Sequence, residues 1–248
     1  MADPGQIGVY FDSDGYRLLG TLFLAPGEGL KPTALLLHGM PGIEKNYDLA
    51  LYLRARGWNS LIFHYRGCWG SEGVFSFQSI PSDINRATDE LCGGKYSRVD
   101  PERVVLFGHS LGGWGAVMAA VADSRVRAVV TVAPISCPSD FQITMQAATE
   151  IFCPWLPGLS PEKFLDQWHQ LAESFTPTIK VKEIAPRPIL ILHGTGDDLV
   201  SISHSEALYT SAAEPKEFRV HPEADHGFTW HRSWLHKVVL SWLEKSVM

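Results

Sequence analysis

The feature that most limits what this chain can become is a strand that runs straight into a glycine-rich turn and then into a helix. Arg103 to Phe107 reads as an apolar strand, Gly108-His109-Ser110-Leu111-Gly112 as the turn, and Leu111 to about Ala122 as the helix. A reversal this sharp needs residues without side chains where strand and helix nearly touch. The surrounding pattern repeats the theme. Ala34 to Leu37 is a short, fully apolar run, as expected of a strand buried on both faces; Asn59 to Tyr65, Val126 to Ala133 and Ile189 to Leu192 read as further strands. Helical patterns alternate with them: Leu49, Leu51 and Leu53 before Gly57, then Ser82 to Leu91, Glu206 to Ala213 and Trp230 to Lys245, with a further strand at Glu217 to Val220. Ahead of this series, Ile7 to Asp12 and Arg17 to Ala25 flank Asp14-Gly15, a hairpin signal. The reading is an α/β fold: a mostly parallel central sheet of about eight strands, an antiparallel N-terminal hairpin, and helices on both faces.

One stretch breaks the alternation. Ile135 to Pro186 separates two strands by far more than the usual 2–6-residue connections plus a helix. It carries Phe141, Phe152, Trp155, Phe164, Trp168 and Phe175, and is read as a small cap within a single domain spanning 1–248. The expected position is over the carboxyl ends of the strands, where open α/β sheets place their sites.

Composition narrows the partners. Of the 248 residues, 45% are hydrophobic and 19% charged, enough apolar material for one large core. The net charge of -6 and the lack of a Lys/Arg run argue against nucleic acid and anionic membranes. No apolar stretch approaches the ~20 residues of a membrane span. The segment MADPGQIGVYF shows no basic and apolar leader pattern. Cys68, Cys92, Cys137 and Cys153 are scattered and form no CxxC pair. A cytoplasmic location is the resulting expectation; a homodimer is left open.

The chemistry centres on Ser110. A strand–turn–helix context lifts the central hydroxyl above the sheet and sets the helix N-terminus beneath it, with N–H groups suited to a developing oxyanion. A serine hydroxyl needs a base to become a nucleophile. Of ten histidines, His226 lies between the last strand and the last helix, at the same sheet end as Ser110. His109 is read as facing away from the hydroxyl, His221 as structural, and His169, His204, His231 and His236 as solvated. The base in turn needs an acid to fix its tautomer. Asp197, in His193-Gly194-Thr195-Gly196-Asp197-Asp198 after the strand Ile189 to Leu192, is the candidate. Asp198 is read as a turn residue, and Asp225 as pointing elsewhere. Ser71 and Cys68 lack such a frame and are read as structural. No HExxH or GxGxxG is present, so no metal and no cofactor are implied.

His38-Gly39-Met40-Pro41-Gly42, Gly108 to Gly113, His193 to Asp197 and Asp225-His226-Gly227-Phe228, in that order, resemble the α/β-hydrolase superfamily, in particular its small serine esterases and serine aminopeptidase-like branch. The resemblance covers nearly the whole chain and is weakest in the insertion. It implies a nucleophile–acid–base set of Ser110, Asp197 and His226, with oxyanion donors at the backbone N–H groups of Met40 and Leu111. It further implies a serine hydrolase acting on a small-molecule carboxylic ester. The aromatic insertion points to apolar or aryl acyl groups of cinnamoyl or feruloyl type, with Trp69, Phe152, Trp155 and Trp168 as candidate pocket residues and Phe75 beside them. Peptide, thioester and lactone cleavage would use the same triad, and a ligand-binding receptor built on the fold is the non-enzymatic alternative.

Overall fold

The computed structural model describes residues 3–43, 46–174 and 176–248. Eight strands form one sheet in the order β1-β2-β4-β3-β5-β6-β7-β8. They are β1 (Gly5–Ser13), β2 (Tyr16–Leu24), β3 (Lys31–Leu37), β4 (Asn59–Phe63), β5 (Val99–His109), β6 (Val126–Val132), β7 (Ile189–Gly194) and β8 (Lys216–His221). β1 and β2 pair antiparallel from Gly5↔Leu24 to Ser13↔Tyr16, and β2 pairs antiparallel with β4. From β4 to β8 every pairing is parallel. The mostly parallel sheet and antiparallel hairpin are therefore as the sequence predicts.

Alternation within the parallel strands splits the core in two. Leu35, Leu37, Leu61, Phe63, Leu106 and Val129 face one side, where α2 (Ile80–Cys92) and α3 (Leu111–Ala122) contribute Ile80, Ile84 and Trp114. Ala34, Leu36, Ile62, Val105, Phe107 and Val130 face the other side. There α1 (Tyr47–Arg54) and the C-terminal helix Arg232–Val247 supply Leu49, Leu53, Leu235, Val239 and Leu243. Strands buried on both faces explain the unbroken apolar runs.

Between β6 and β7 the chain forms short elements: α4 (Met145–Ala147), a π-helical turn Ala148–Phe152, a 3-10 turn Cys153–Trp155, α5 (Pro161–Ser174) and α6 (Pro177–Lys180). After β7 come α7 (Ile202–Ser211) and, as the last helix, α8 (Arg232–Val247). The β6–β7 segment is rooted in the main core. Phe164, Trp168 and Leu171 of α5 are buried in the same cluster as Phe77 and Trp114. The Phe77 ring meets those of Phe164 and Trp168 edge-on at 5.2 and 5.3 Å. Phe175 lies outside the described residues.

Candidate active site

Ser110 sits between β5 and α3 with φ 57 and ψ -122. A non-glycine residue with positive φ costs energy and persists only where its surroundings enforce it. The neighbours here do so. A Cβ on Gly108 would overlap the Gly112 carbonyl, and one on Gly112 would overlap the Leu37 carbonyl of the adjoining strand. The Ser110 N–H donates to the Val132 carbonyl at 2.9 Å, tying the turn to β6. Leu111 begins α3, whose first N–H groups have no partner within the helix.

On the neighbouring side, the loop after β3 approaches so closely that a Cβ on Gly39 would lie 3.0 Å from the Ser110 Cβ. Gly39, Met40, Pro41 and Ile43 of this loop line a cavity of about 210 Å³ together with Ser110, His109, His226 and Leu199. A larger cleft, about 520 Å³, meets this cavity at Leu199 and is lined by Asp140, Gln142, Asp198 and Ser201 among others. Ser110 does not line the larger cleft, so the smaller cavity is the one that bears on the serine.

His226 follows β8 and presents Nδ1 to Asp197 Oδ2 at 2.8 Å. Its side chain is 17% exposed and that of Asp197 is 1% exposed. Asp197 lies just past β7, in a turn where Oδ1 accepts from the N–H groups of Leu199 (2.9 Å) and Val200 (2.8 Å). Burial pushes the Asp197 carboxyl up. Hydrogen bonds from His193 and His226, the His226 charge and the Val200 N–H outweigh burial and hold the group below the usual carboxylate range. Asp198 is exposed, and Asp225 Oδ1 instead accepts from the Thr229 N–H at 2.6 Å. The structure thus brings Asp197, of the three acids considered, against His226.

Two histidines left out of the site by sequence reasoning belong beside it. His193, fully buried, has Nε2 2.9 Å from the Val200 carbonyl and 3.3 Å from Asp197 Oδ2. A carbonyl can only accept, so the proton is on Nε2, and Nδ1 accepts from the Ser205 hydroxyl at 2.7 Å. His109 likewise carries its proton on Nε2, which donates to the His226 carbonyl at 2.8 Å. Its ring lies 4.7 Å from that of His226. Burial, with His226 adding to it, pushes the His109 imidazole down to about 3. Only the proximity of His193 to Asp197 at one strand end hinted at either role.

Other expectations need correcting. His204 and His236 are buried, not solvated: His204 Nδ1 accepts from the Ser136 and Cys137 N–H groups, and His236 Nε2 bonds Asp48 at 2.9 Å. The His231 ring packs against that of His221, centroids 4.0 Å apart and planes tilted by 37°. Trp69, Phe152, Trp155 and Trp168 do not line the cavity at Ser110. Trp168 is core, its indole N–H donating to the Phe141 carbonyl at 3.1 Å. Phe152 stacks on Phe164 at 5.4 Å, and Trp155 on Trp69 at 5.2 Å. Ring-on-ring contacts engage these side chains, fully covering Trp168 while leaving Trp69 and Phe152 half-buried and Trp155 exposed. Phe75, buried against Phe77, flanks the loop after β3 together with Cys68 and Leu156. Ser71 is structural, donating to the His64 carbonyl and accepting from the Leu19 N–H.

An eight-stranded sheet of this order, with a serine on a strand-to-helix turn, is that of an α/β hydrolase. Within that class the chain belongs to the prolyl oligopeptidase family (Peptidase_S9), whose profile matches residues 47–247. It is 32% identical over 223 residues to the uncharacterized protein Rv2307c of Mycobacterium tuberculosis, covering 90% of this chain and 72% of that one. The alpha/beta hydrolase domain-containing protein WAV2 of Arabidopsis thaliana is 30% identical over 239 residues, covering 92% and 76%. Among solved structures, Est1E from Butyrivibrio proteoclasticus with ferulic acid bound superimposes with a TM-score of 0.78 at 20% identity, covering 96% of this chain and 99% of that one. At that identity the likeness shows the fold. No helix among the described residues is long and apolar enough to cross a membrane.

Proposed function

We propose that the chain is a serine hydrolase that cleaves carboxylic esters through an acyl-enzyme on Ser110. The observation that carries this reading is the shared cavity. Ser110, strained at the elbow, faces the same space as His226, whose Nδ1 is held by the buried Asp197 carboxylate. With Nδ1–H committed to Asp197, the tautomer leaves the Nε2 lone pair to take a proton.

In the proposed sequence, Ser110 Oγ attacks the ester carbonyl as its proton passes to His226 Nε2. The N–H groups of Met40 and Leu111 stabilise the tetrahedral oxyanion. The C–O bond to the alcohol breaks, and the alkoxide leaves with the proton from His226. Water then gives a proton to His226, attacks the acyl-enzyme, and the acid departs as Ser110 recovers its proton. Asp197 stays ionised throughout, holding the imidazolium.

The group seated next to Ser110 is small and apolar, because Met40, Pro41, Ile43 and Leu199 wall a cavity of only about 210 Å³. These walls are aliphatic and do not include the β6–β7 aromatics named as candidate pocket residues. A cinnamoyl ester distinguishes an aryl acyl preference from a short-chain one. Family membership favours a second reading, cleavage of aminoacyl amides by the same triad.

The experiment pairs Ser110→Ala with a panel of p-nitrophenyl esters of rising acyl length, a cinnamoyl ester and aminoacyl p-nitroanilides. Ester turnover that peaks at short acyl groups is expected, with a loss on the order of 10³–10⁶ in Ser110→Ala. A fluorophosphonate should label Ser110 in the parent protein. Undiminished turnover in Ser110→Ala would refute the acyl-enzyme, and turnover of anilides above esters would move the assignment to a peptidase.

A further inference from the structure

Trp69 has a backbone φ of 49, left-handed, in the loop that leaves β4. A bulky side chain is rare there, and such outliers cluster where function maintains them. The indole is engaged on two sides. Its Nε1–H donates to the Pro41 carbonyl at 3.0 Å. Its ring stacks on that of Trp155 in the β6–β7 segment, centroids 5.2 Å apart and planes 23° from parallel.

The Pro41 carbonyl belongs to the loop that carries Met40. That loop follows Trp69 closely: Gly42 has φ 88, and a Cβ there would lie 2.7 Å from both Trp69 Nε1 and His38 Nδ1. His38 Nδ1 bonds the Gly39 carbonyl at 2.7 Å, and the Tyr65 hydroxyl donates to the His38 carbonyl at 3.2 Å. The backbone from His38 to Gly42 is thus clamped by side chains on both sides of Met40. Trp69 holds the distal half of the loop and also touches the β6–β7 segment.

We propose that Trp69 is a positioning residue that fixes the Gly39–Gly42 loop so that the Met40 N–H points at the developing oxyanion, and that Trp155 steadies it by stacking. This rests on the acyl-transfer reading above. The chemistry suits tryptophan. The clamp needs an N–H donor, because its partner is a carbonyl, and it needs a flat ring for the stack. Oxyanion donors act only if they are held in place before charge develops, so slack in this loop would appear in the transition state. Ground-state binding would be largely spared.

Trp69→Phe keeps a ring and removes the N–H, and Trp155→Ala removes the stack by truncating Trp155, which is itself already 44% exposed. The readouts are kcat and KM for p-nitrophenyl acetate, the rate of fluorophosphonate labelling at Ser110, and affinity for a phenylboronic acid that engages Ser110 and the oxyanion donors. Trp69→Phe should lower kcat and the labelling rate about tenfold and leave KM within about twofold. Boronate affinity should fall in parallel with kcat/KM, as expected for transition-state mimicry. Trp155→Ala should move kcat, labelling and boronate affinity in the same direction by about threefold. A Trp69→Phe protein with parent kcat and boronate affinity would overturn the proposal, as would a loss confined to KM, which would mark Trp69 as a substrate contact. If Trp69→Phe does not fold, an unchanged kcat and boronate affinity in Trp155→Ala overturns it instead. Ser110→Ala separates the two layers. Retained turnover there defeats the acyl-enzyme itself, whereas an inactive Ser110→Ala beside a parent-like Trp69→Phe defeats the positioning role alone.

Discussion

The turn at Ser110 and the segment between β6 and β7 are both packed against the same core, yet they are held by different means. At the turn, backbone meets backbone. Gly108 and Gly112 admit no Cβ without overlapping a carbonyl, and Ser110 is held at φ 57 between them. In the segment, side chain meets side chain: Phe152 on Phe164, Phe141 on Trp168, Trp155 on Trp69. Backbone contact dictates residue type, because only glycine fits. Aromatic packing dictates only size and apolarity, so one ring can serve as core, pocket wall or clamp. The first kind of constraint announces a site; the second conceals which side chains belong to one.

The sharpest way to break this contrast is at the acid. Asp197→Asn keeps shape but removes the charge that fixes the His226 tautomer, so turnover should fall by about 10⁴. The β6–β7 segment should answer differently. Phe164→Ala empties a fully buried site stacked on Phe152 and edge-on to Phe77, and should cost about 3–5 kcal/mol of stability by denaturant unfolding. In the folded fraction kcat should stay near the parent value. If Phe164→Ala depressed kcat as deeply as Asp197→Asn does, the division between a chemical turn and a packing segment would fail.

A smaller effect should come from His109, which belongs to the turn by sequence and to the His226 loop by contact. Burial holds its folded-state pKa near 3 against an ordinary value of 6.5. The unfolded chain therefore binds a proton that the folded chain refuses between those values. Stability from this group is complete above about pH 6.5 and declines as pH falls toward 3, at roughly 1.4 kcal/mol per unit. Unfolding free energies of the parent and His109→Gln should thus converge by about 2 kcal/mol between pH 6.5 and 5. A constant gap would mean that the ring is not held neutral.

The same contrast explains which features are legible in the amino-acid sequence alone. The parallel strands were legible because they are buried on both faces, leaving runs such as Ala34 to Leu37 without a polar residue. Ser110 was legible through its glycines, and His226 through its place after the last strand. The aromatic pocket was not. Trp168 and Phe164 recur at helical spacing on α5, which fixes their shared face but not whether that face meets a ligand or the core. His204 and His236 were misread because a buried histidine satisfied by a backbone N–H or a distant Asp48 leaves no trace in its neighbours along the chain. The role of His193 arises from a Val200 carbonyl and a Ser205 hydroxyl that converge only once β7 and α7 pack.

Asp198 offers the finest test, since it differs from Asp197 by one position and by nearly everything physical. Asp197 is enclosed, with Oδ1 taken by two N–H groups and Oδ2 by two imidazoles. Asp198 is exposed at the rim of the larger cleft. Two adjacent residues in a turn point in different directions, so the bond that fixes one carboxylate on His226 turns the other toward solvent. An exposed carboxylate interacts through water and contributes little, so Asp198→Asn should change stability by no more than about 0.5 kcal/mol. Turnover of p-nitrophenyl acetate should stay within about twofold, with the pH dependence of kcat unmoved, because the imidazole keeps its own acid. Should Asp198→Asn instead cost orders of magnitude while Asp197→Asn is tolerated, the acid of the triad would be the neighbour, and the enclosed carboxylate would be a structural anchor for the turn after β7.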